Sequence, residues 1–117
     1  MPSNINWGPR LWYIIHMRAL TYYPTVENSL AMKTWIYNLP NKVPCRICAT
    51  HFVQVLSDDP IENALGSRSE LVAWSNRIHN VVNEQTGKTQ YPLELLWQNQ
   101  ISIVLSGLLF QLMGWAP

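Results

Sequence analysis

The stretch "SRSELVAWSNRIHNVVNEQTGK", residues 67–88, decides the fold. Ser67 and Glu70 form an S-x-x-E capping box, which predicts a helix that begins there and stops near Gly87. Leu71, Trp74, Ile78 and Val81 recur at three- and four-residue intervals and are expected to face inward. Beside them Ser75, His79, Val82, Asn83 and Thr86 make a second, mostly polar stripe. His79, Asn80 and Asn83 offer donors and acceptors, with Gly87 and the cation Lys88 following. Such a row suits the adenine, ribose and phosphates of a nucleotide, and it equally suits a solvated helix face.

Working outward, the same periodicity dominates the chain. A first helix is expected from Pro9 to about Tyr22, with Trp12, Ile15, Ala19 and Tyr22 on one face. A second spans Val26 to about Leu39 through Met32, Trp35 and Ile36, and Pro40 and Pro44 bracket a loop after it. A third begins at the cysteines, presents Cys48, Phe52, Val55 and Leu56, and ends at "SDDP", residues 57–60. A fifth starts near Pro92 and reaches toward Met113. No segment alternates with period two over a useful length. The expected fold is all-α, a four-helix bundle plus an additional C-terminal helix, in one domain over residues 1–117.

Composition narrows the function classes. Charged residues are 13% of the 117 and apolar residues 48%, where typical domains carry about 25% charged. So few charges predict that much surface is covered, by a second copy, a cofactor or a membrane. A net charge of +1 and the lack of a basic stripe argue against a nucleic-acid partner. Six tryptophans offer flat apolar faces for a planar ring, or bulk for a core. No charged n-region with a following apolar run opens the chain, and two cysteines are too few for a secreted disulfide framework. An intracellular protein is expected. The apolar run "ISIVLSGLLFQLM", residues 101–113, falls short of the roughly 20 residues a membrane-spanning helix needs, so a buried or interface helix is expected instead.

Cys45 and Cys48, in "PCRICATHF" (residues 44–52), are the only cysteines. On the first turn of a helix they share a face and lie within reach of a disulfide. Unpaired N–H groups at that helix end favour a thiolate, and Arg46 adds charge. A crosslink closing so short a loop stabilises little, which favours exchange chemistry. A thioredoxin-like site needs a βαβ context, and c-type haem attachment needs histidine directly after the second cysteine, where Ala49 stands. Zinc held by Cys45, Cys48, His51 and His79 stays open as a structural alternative, a zinc-stabilised helical interaction module. Two inert buried cysteines stay open as well. The N-terminal "WGPRLWYIIH" adds Trp7 and Trp12 around a Gly-Pro helix start, with His16 one turn on.

In this order, the three segments resemble the Erv/ALR family of FAD-dependent sulfhydryl oxidases. Gly8, Trp12 and His16 match its G-x-x-x-W-x-x-x-H element, and "CRICATHF" matches C-x-x-C-x-x-H-[FY]. Trp74, His79, Asn80, Val82, Asn83 and Lys88 match W-x₄-H-N-x-V-N-x₄-K. The match spans residues 7 to 91, about three quarters of the chain. The resemblance implies a bundle that binds FAD through Trp7, Gly8, Trp12, His16, His51, Trp74, His79, Asn80, Val82, Asn83 and Lys88, with Tyr23 and Trp97 as further contacts. It implies that Cys45 meets a dithiol protein substrate or a thioredoxin-like electron donor, that Cys48 faces FAD, and that molecular oxygen becomes hydrogen peroxide. It implies a homodimer, here noncovalent unless it consumed a cysteine of the Cys45–Cys48 pair; the second, shuttle cysteine pair often found in the family is absent. The short two-cysteine form resembles members encoded by large cytoplasmic DNA viruses, which implies the host cytoplasm at sites of viral assembly, or the virion, as its location.

Overall fold

The computed structural model describes residues 7–98, and among these every regular element is helical. The order is α1 (Trp7–Leu20), α2 (Val26–Asn38), α3 (Arg46–Asp58), α4 (Arg68–Gln85) and α5 (Leu93–Gln98). Two 3₁₀ turns, Leu39–Lys42 and Ile61–Ala64, lead into α3 and α4. Neither turn was expected, because a single turn around a proline has no periodicity to read.

Local chemistry sets the helix ends. α1 is described from Trp7, two residues before the start expected at Pro9. Thr25 caps α2 by accepting the Asn28 N–H at 3.0 Å. Ser67 caps α4 by accepting the Glu70 N–H at 3.1 Å while its hydroxyl donates to the Glu70 carboxylate at 2.9 Å. The α4 C-terminus closes as a Schellman motif: Lys88 N–H donates to Asn83 O at 2.7 Å and Gly87 N–H to Glu84 O at 3.3 Å. Gly87 has a φ of 72°, the left-handed region that side chains resist, with open space where a Cβ would stand. Gly87→Ala is therefore expected to lower stability by about 1 kcal/mol through the backbone alone. Thermal melting checks this, and Gly87→Asn should lose less.

α4 is the hub, packing against α1, α3, α5 and the second 3₁₀ turn. Ile15, Ala19 and Leu20 of α1, Met32 and Ile36 of α2, Phe52, Val55 and Leu56 of α3 and Leu71, Val72, Trp74 and Ile78 of α4 form the core. Val81, expected inward, is 41% exposed. A 3.6-residue period carries the stripe from Ile78 onto Val82 instead, which packs partly buried against the core. Trp74 is fully buried, and its indole N–H donates to Asp59 O at 2.7 Å. Arg77 also grips Asp59, with N···O distances of 2.8 and 3.2 Å. These bonds pin the end of α3 to α4, and so set where the cysteines at its start can lie. α5 is described to Gln98; its expected continuation to Met113 lies outside the described residues.

Candidate active site

Three stretches far apart in sequence meet around one cavity of about 710 Å³, a size usual for cofactor sites. α1 contributes Trp7, Gly8, Trp12 and His16, α3 contributes Cys48, His51 and Phe52, and α4 contributes His79, Val82 and Asn83. Val43 joins from the loop before α3, and Lys88 and Tyr91 from the segment after α4. The aromatic rings form a stack. Trp12 lies 4.2 Å from His79 at an interplanar angle of 10°, and Tyr91 lies 5.4 Å from His79 and 5.9 Å from His16. Flat apolar faces with one nearby cation, Lys88, are the walls a planar heteroaromatic phosphate ester needs.

The structure gathers most of the residues expected from sequence, and puts others elsewhere. Trp74 and Asn80 do not line the cavity. Trp74 sits in the core for the reason given above. Asn80 acts at one remove: its Oδ1 accepts the Tyr91 N–H at 2.6 Å and its Nδ2 donates to Tyr91 O at 3.0 Å. Asn76 Nδ2 donates to the same carbonyl at 2.9 Å. Two amides thus hold the Tyr91 backbone, and with it the ring that stacks on the histidines. Tyr91 was not expected from sequence; it lies outside any helical pattern, and the only signal was an aromatic before Pro92. Tyr23 is 65% exposed and borders a separate small pocket with Arg18 and Asn28. Trp97 packs partly buried against the core.

Cys45 and Cys48 are joined as a disulfide with Cα atoms 5.2 Å apart. Cys45 is the N-cap of α3, its sulfur accepting the Cys48 N–H at 3.3 Å. Cys48 lines the cavity and Cys45 does not. Cys48, in the cavity wall, is itself exposed, and Cys45, outside the wall, is half-buried. The zinc alternative loses its ligands in this arrangement. The two sulfurs bond each other and His79 bonds His16, and the described residues, which include every His, Cys, Asp and Glu of the chain, hold no group of three that could bind a metal.

His16 is 5% exposed and bridges two partners: its Nδ1 lies 3.0 Å from Ser75 Oγ and its Nε2 lies 2.8 Å from His79 Nδ1. Burial, with the charge of His79 adding to it, lowers the His16 pKa to about 3. Burial, with Lys88 adding to it, lowers that of His79 to about 4. Both imidazoles are neutral near pH 7. The unfolded chain binds these protons near pH 6.5 and the folded chain does not, so unfolding takes up protons below that pH. Stability should be complete above about pH 6.5 and fall as the pH drops toward 4. Melting temperatures across that window check this, and His16→Gln should flatten the fall. A melting point independent of pH there would contradict it.

Comparison with known proteins follows the same lines. The Erv1 / Alr family model matches residues 9–102. FAD-linked sulfhydryl oxidase ERV1 of Arabidopsis thaliana is 34% identical over 89 residues, covering 74% of this chain and 46% of that protein. A probable FAD-linked sulfhydryl oxidase of Acanthamoeba polyphaga mimivirus is 38% identical over 89 residues, 74% of this chain and 62% of that one. The FAD-linked sulfhydryl oxidase of African swine fever virus is 27% identical over 86 residues, 72% of this chain and 71% of its own. The chain thus spans about half to three-fifths of the plant and mimivirus proteins. The crystal structure of the yeast Erv1 core superposes with a TM-score of 0.72 over 80% of this chain and 79% of that one, at 24% identity, a likeness of fold. No described helix is long and apolar enough to cross a membrane, and the apolar run at 101–113 lies outside the described residues.

Proposed function

The chain belongs to the Erv1/Alr family, and from that premise we propose that it is an FAD-linked sulfhydryl oxidase that forms disulfides in protein substrates and passes the electrons to dioxygen. The observation that carries this reading is the position of the disulfide. A redox-competent cysteine pair stands at the edge of an aromatic-walled cavity, with Cys48 in the wall and Cys45 outside it.

The residues present fit FAD. Trp12, His79 and Tyr91 offer stacking faces, Asn83 a side-chain amide and Lys88 a cation for the pyrophosphate. Trp7, Gly8, His16, His51 and Val82 complete the expected wall. When bound, FAD supplies a two-electron acceptor whose reoxidation by dioxygen yields hydrogen peroxide. The chain's own steps are thiol exchange. A substrate thiolate attacks Cys45 Sγ, the Cys45–Cys48 bond breaks, and Cys48 departs as a thiolate into the cavity wall. A second substrate thiol then attacks the substrate sulfur of the mixed disulfide and expels Cys45 as a thiolate. The Cys48 N–H at the start of α3 is placed to donate to that thiolate and stabilise its charge. The pair is left with two electrons more, ready to deliver them at Cys48.

Substrate and setting follow the relatives. The substrate is a protein dithiol or a thioredoxin-like donor, and viral relatives favour a viral protein acting in host cytoplasm or virion. Val26, Leu30 and Tyr37 leave exposed apolar side chains along α2. A second copy covering them makes a noncovalent homodimer, which sedimentation would detect. The test of activity is oxygen uptake by purified protein given a dithiol. Yellow protein that releases FAD on denaturation and forms one peroxide per disulfide supports the reading. Colourless protein that binds no added FAD would overturn it.

A further inference from the structure

Ser75, one member of the polar stripe of α4, is fully buried and belongs to a chain of three hydrogen bonds that starts in the cavity wall at His79 and ends at Val72 O. Its Oγ lies 2.8 Å from Val72 O and 3.0 Å from His16 Nδ1. His16 Nε2 in turn lies 2.8 Å from His79 Nδ1. A carbonyl oxygen only accepts, so the single Ser75 hydroxyl proton goes to Val72 O. Ser75 Oγ is then an acceptor, and His16 Nδ1 must carry hydrogen. His16 Nε2 keeps its lone pair, and His79 Nδ1 must donate to it.

The reverse direction is worse at one point. If Ser75 donated to His16, its oxygen would face Val72 O at 2.8 Å with no proton between them. Two buried oxygens held in that way repel, whereas the first direction satisfies every contact. The low pKa values of both imidazoles keep them neutral, so each ring has one N–H and one lone pair to be assigned.

We propose that Ser75 is a positioning residue that acts through His16 to hold His79 in its Nδ1–H tautomer, so that His79 Nε2 presents a lone pair to the cavity ligand. His79 Nε2 has no hydrogen-bond partner among the described residues, and His79 lines the cavity. A ligand reaching that nitrogen must bring an N–H or O–H donor. The adenine amine and the hydroxyls of FAD are of that kind, so this inference rests on the FAD reading for its ligand, though not for its hydrogen-bond direction. Without the Ser75 hydroxyl, a His16 Nδ1–H would be buried without an acceptor. His16 then moves its proton to Nε2, donates to His79 Nδ1, and leaves His79 with Nε2–H toward the cavity. An acceptor site has become a donor site.

The test is the nitrogen-15 NMR pattern of the histidine rings near neutral pH, with and without bound FAD. In the wild-type protein both His16 and His79 should show a protonated Nδ1 and a lone-pair Nε2. The wild-type spectrum alone decides the direction, whether or not a variant folds; an unprotonated Nδ1 on His79 would overturn the proposal. In Ser75→Ala both rings should swap tautomer, and FAD affinity should fall about tenfold, the effect of one mismatched hydrogen bond. A well-folded Ser75→Ala that keeps the wild-type pattern would also overturn it. The two readings fail separately. Protein that binds no FAD but shows the expected tautomers contradicts the oxidase assignment, while an active flavoprotein with inverted tautomers contradicts only this one.

Discussion

Cys48→Ser is expected to abolish dithiol-dependent oxygen uptake while the protein keeps its FAD and its fold. The fold survives because the Cys45–Cys48 bond closes a loop of sequence separation 3, too short to restrict the unfolded chain much. FAD stays because Cys48 is one residue of a wall built mostly from α1 and α4, and serine nearly preserves its size. Turnover goes because no disulfide remains for a substrate thiolate to break. Cys45→Ser should be equally inactive for the same reason, since the Cys48 sulfur alone has no partner to form the exchangeable bond. Oxygen electrode traces with the flavin content measured on the same samples check both variants. Retained turnover in Cys48→Ser would remove the residue from the electron path.

Trp74→Ala is expected to cost about 3–5 kcal/mol, the largest stability effect of any single change considered for this chain. Trp74 is fully buried among the packed faces of the bundle, so truncation leaves a cavity. It also leaves Asp59 O without its 2.7 Å donor at the joint between α3 and α4. Against a total of about 5–15 kcal/mol for a domain, that loss is a large share. Trp74→Phe keeps most of the volume and loses the indole N–H, so it should cost about 1–3 kcal/mol and leave FAD affinity near wild type. Denaturant melts beside FAD titrations separate the two roles. A large loss of FAD affinity in a stable Trp74→Phe protein would return Trp74 to the cofactor site.

That pair of variants marks where sequence and structure part company. The spacing of Leu71, Trp74 and Ile78 was enough to predict a buried face, because helical periodicity is a property of neighbours. It failed at Val81, where the 3.6-residue period carries the stripe onto Val82. The cavity-facing histidines and Cys48 were legible because their spacing matches a known motif. The same motif places Trp74 and Asn80 among the cofactor residues, and spacing does not distinguish a wall from what braces it. Asn80 braces through the Tyr91 backbone, Trp74 through Asp59. For Tyr91 an aromatic before Pro92 was the whole signal, since only the folded segment after α4 brings its ring to His79. The disulfide was within reach on spacing alone, while its placement at the cavity edge depends on α3 being fixed at its far end.

The central claim is that the cysteine pair and the cavity are one redox site, and anaerobic reduction tests it most directly. A dithiol mixed without oxygen with the FAD-loaded protein should bleach the flavin's visible absorbance, and admitting air should restore it together with hydrogen peroxide. Cys48→Ser, loaded with FAD to the same extent, should stay yellow. Wild-type protein that holds FAD beside an accessible disulfide and remains oxidised in excess dithiol would contradict the account.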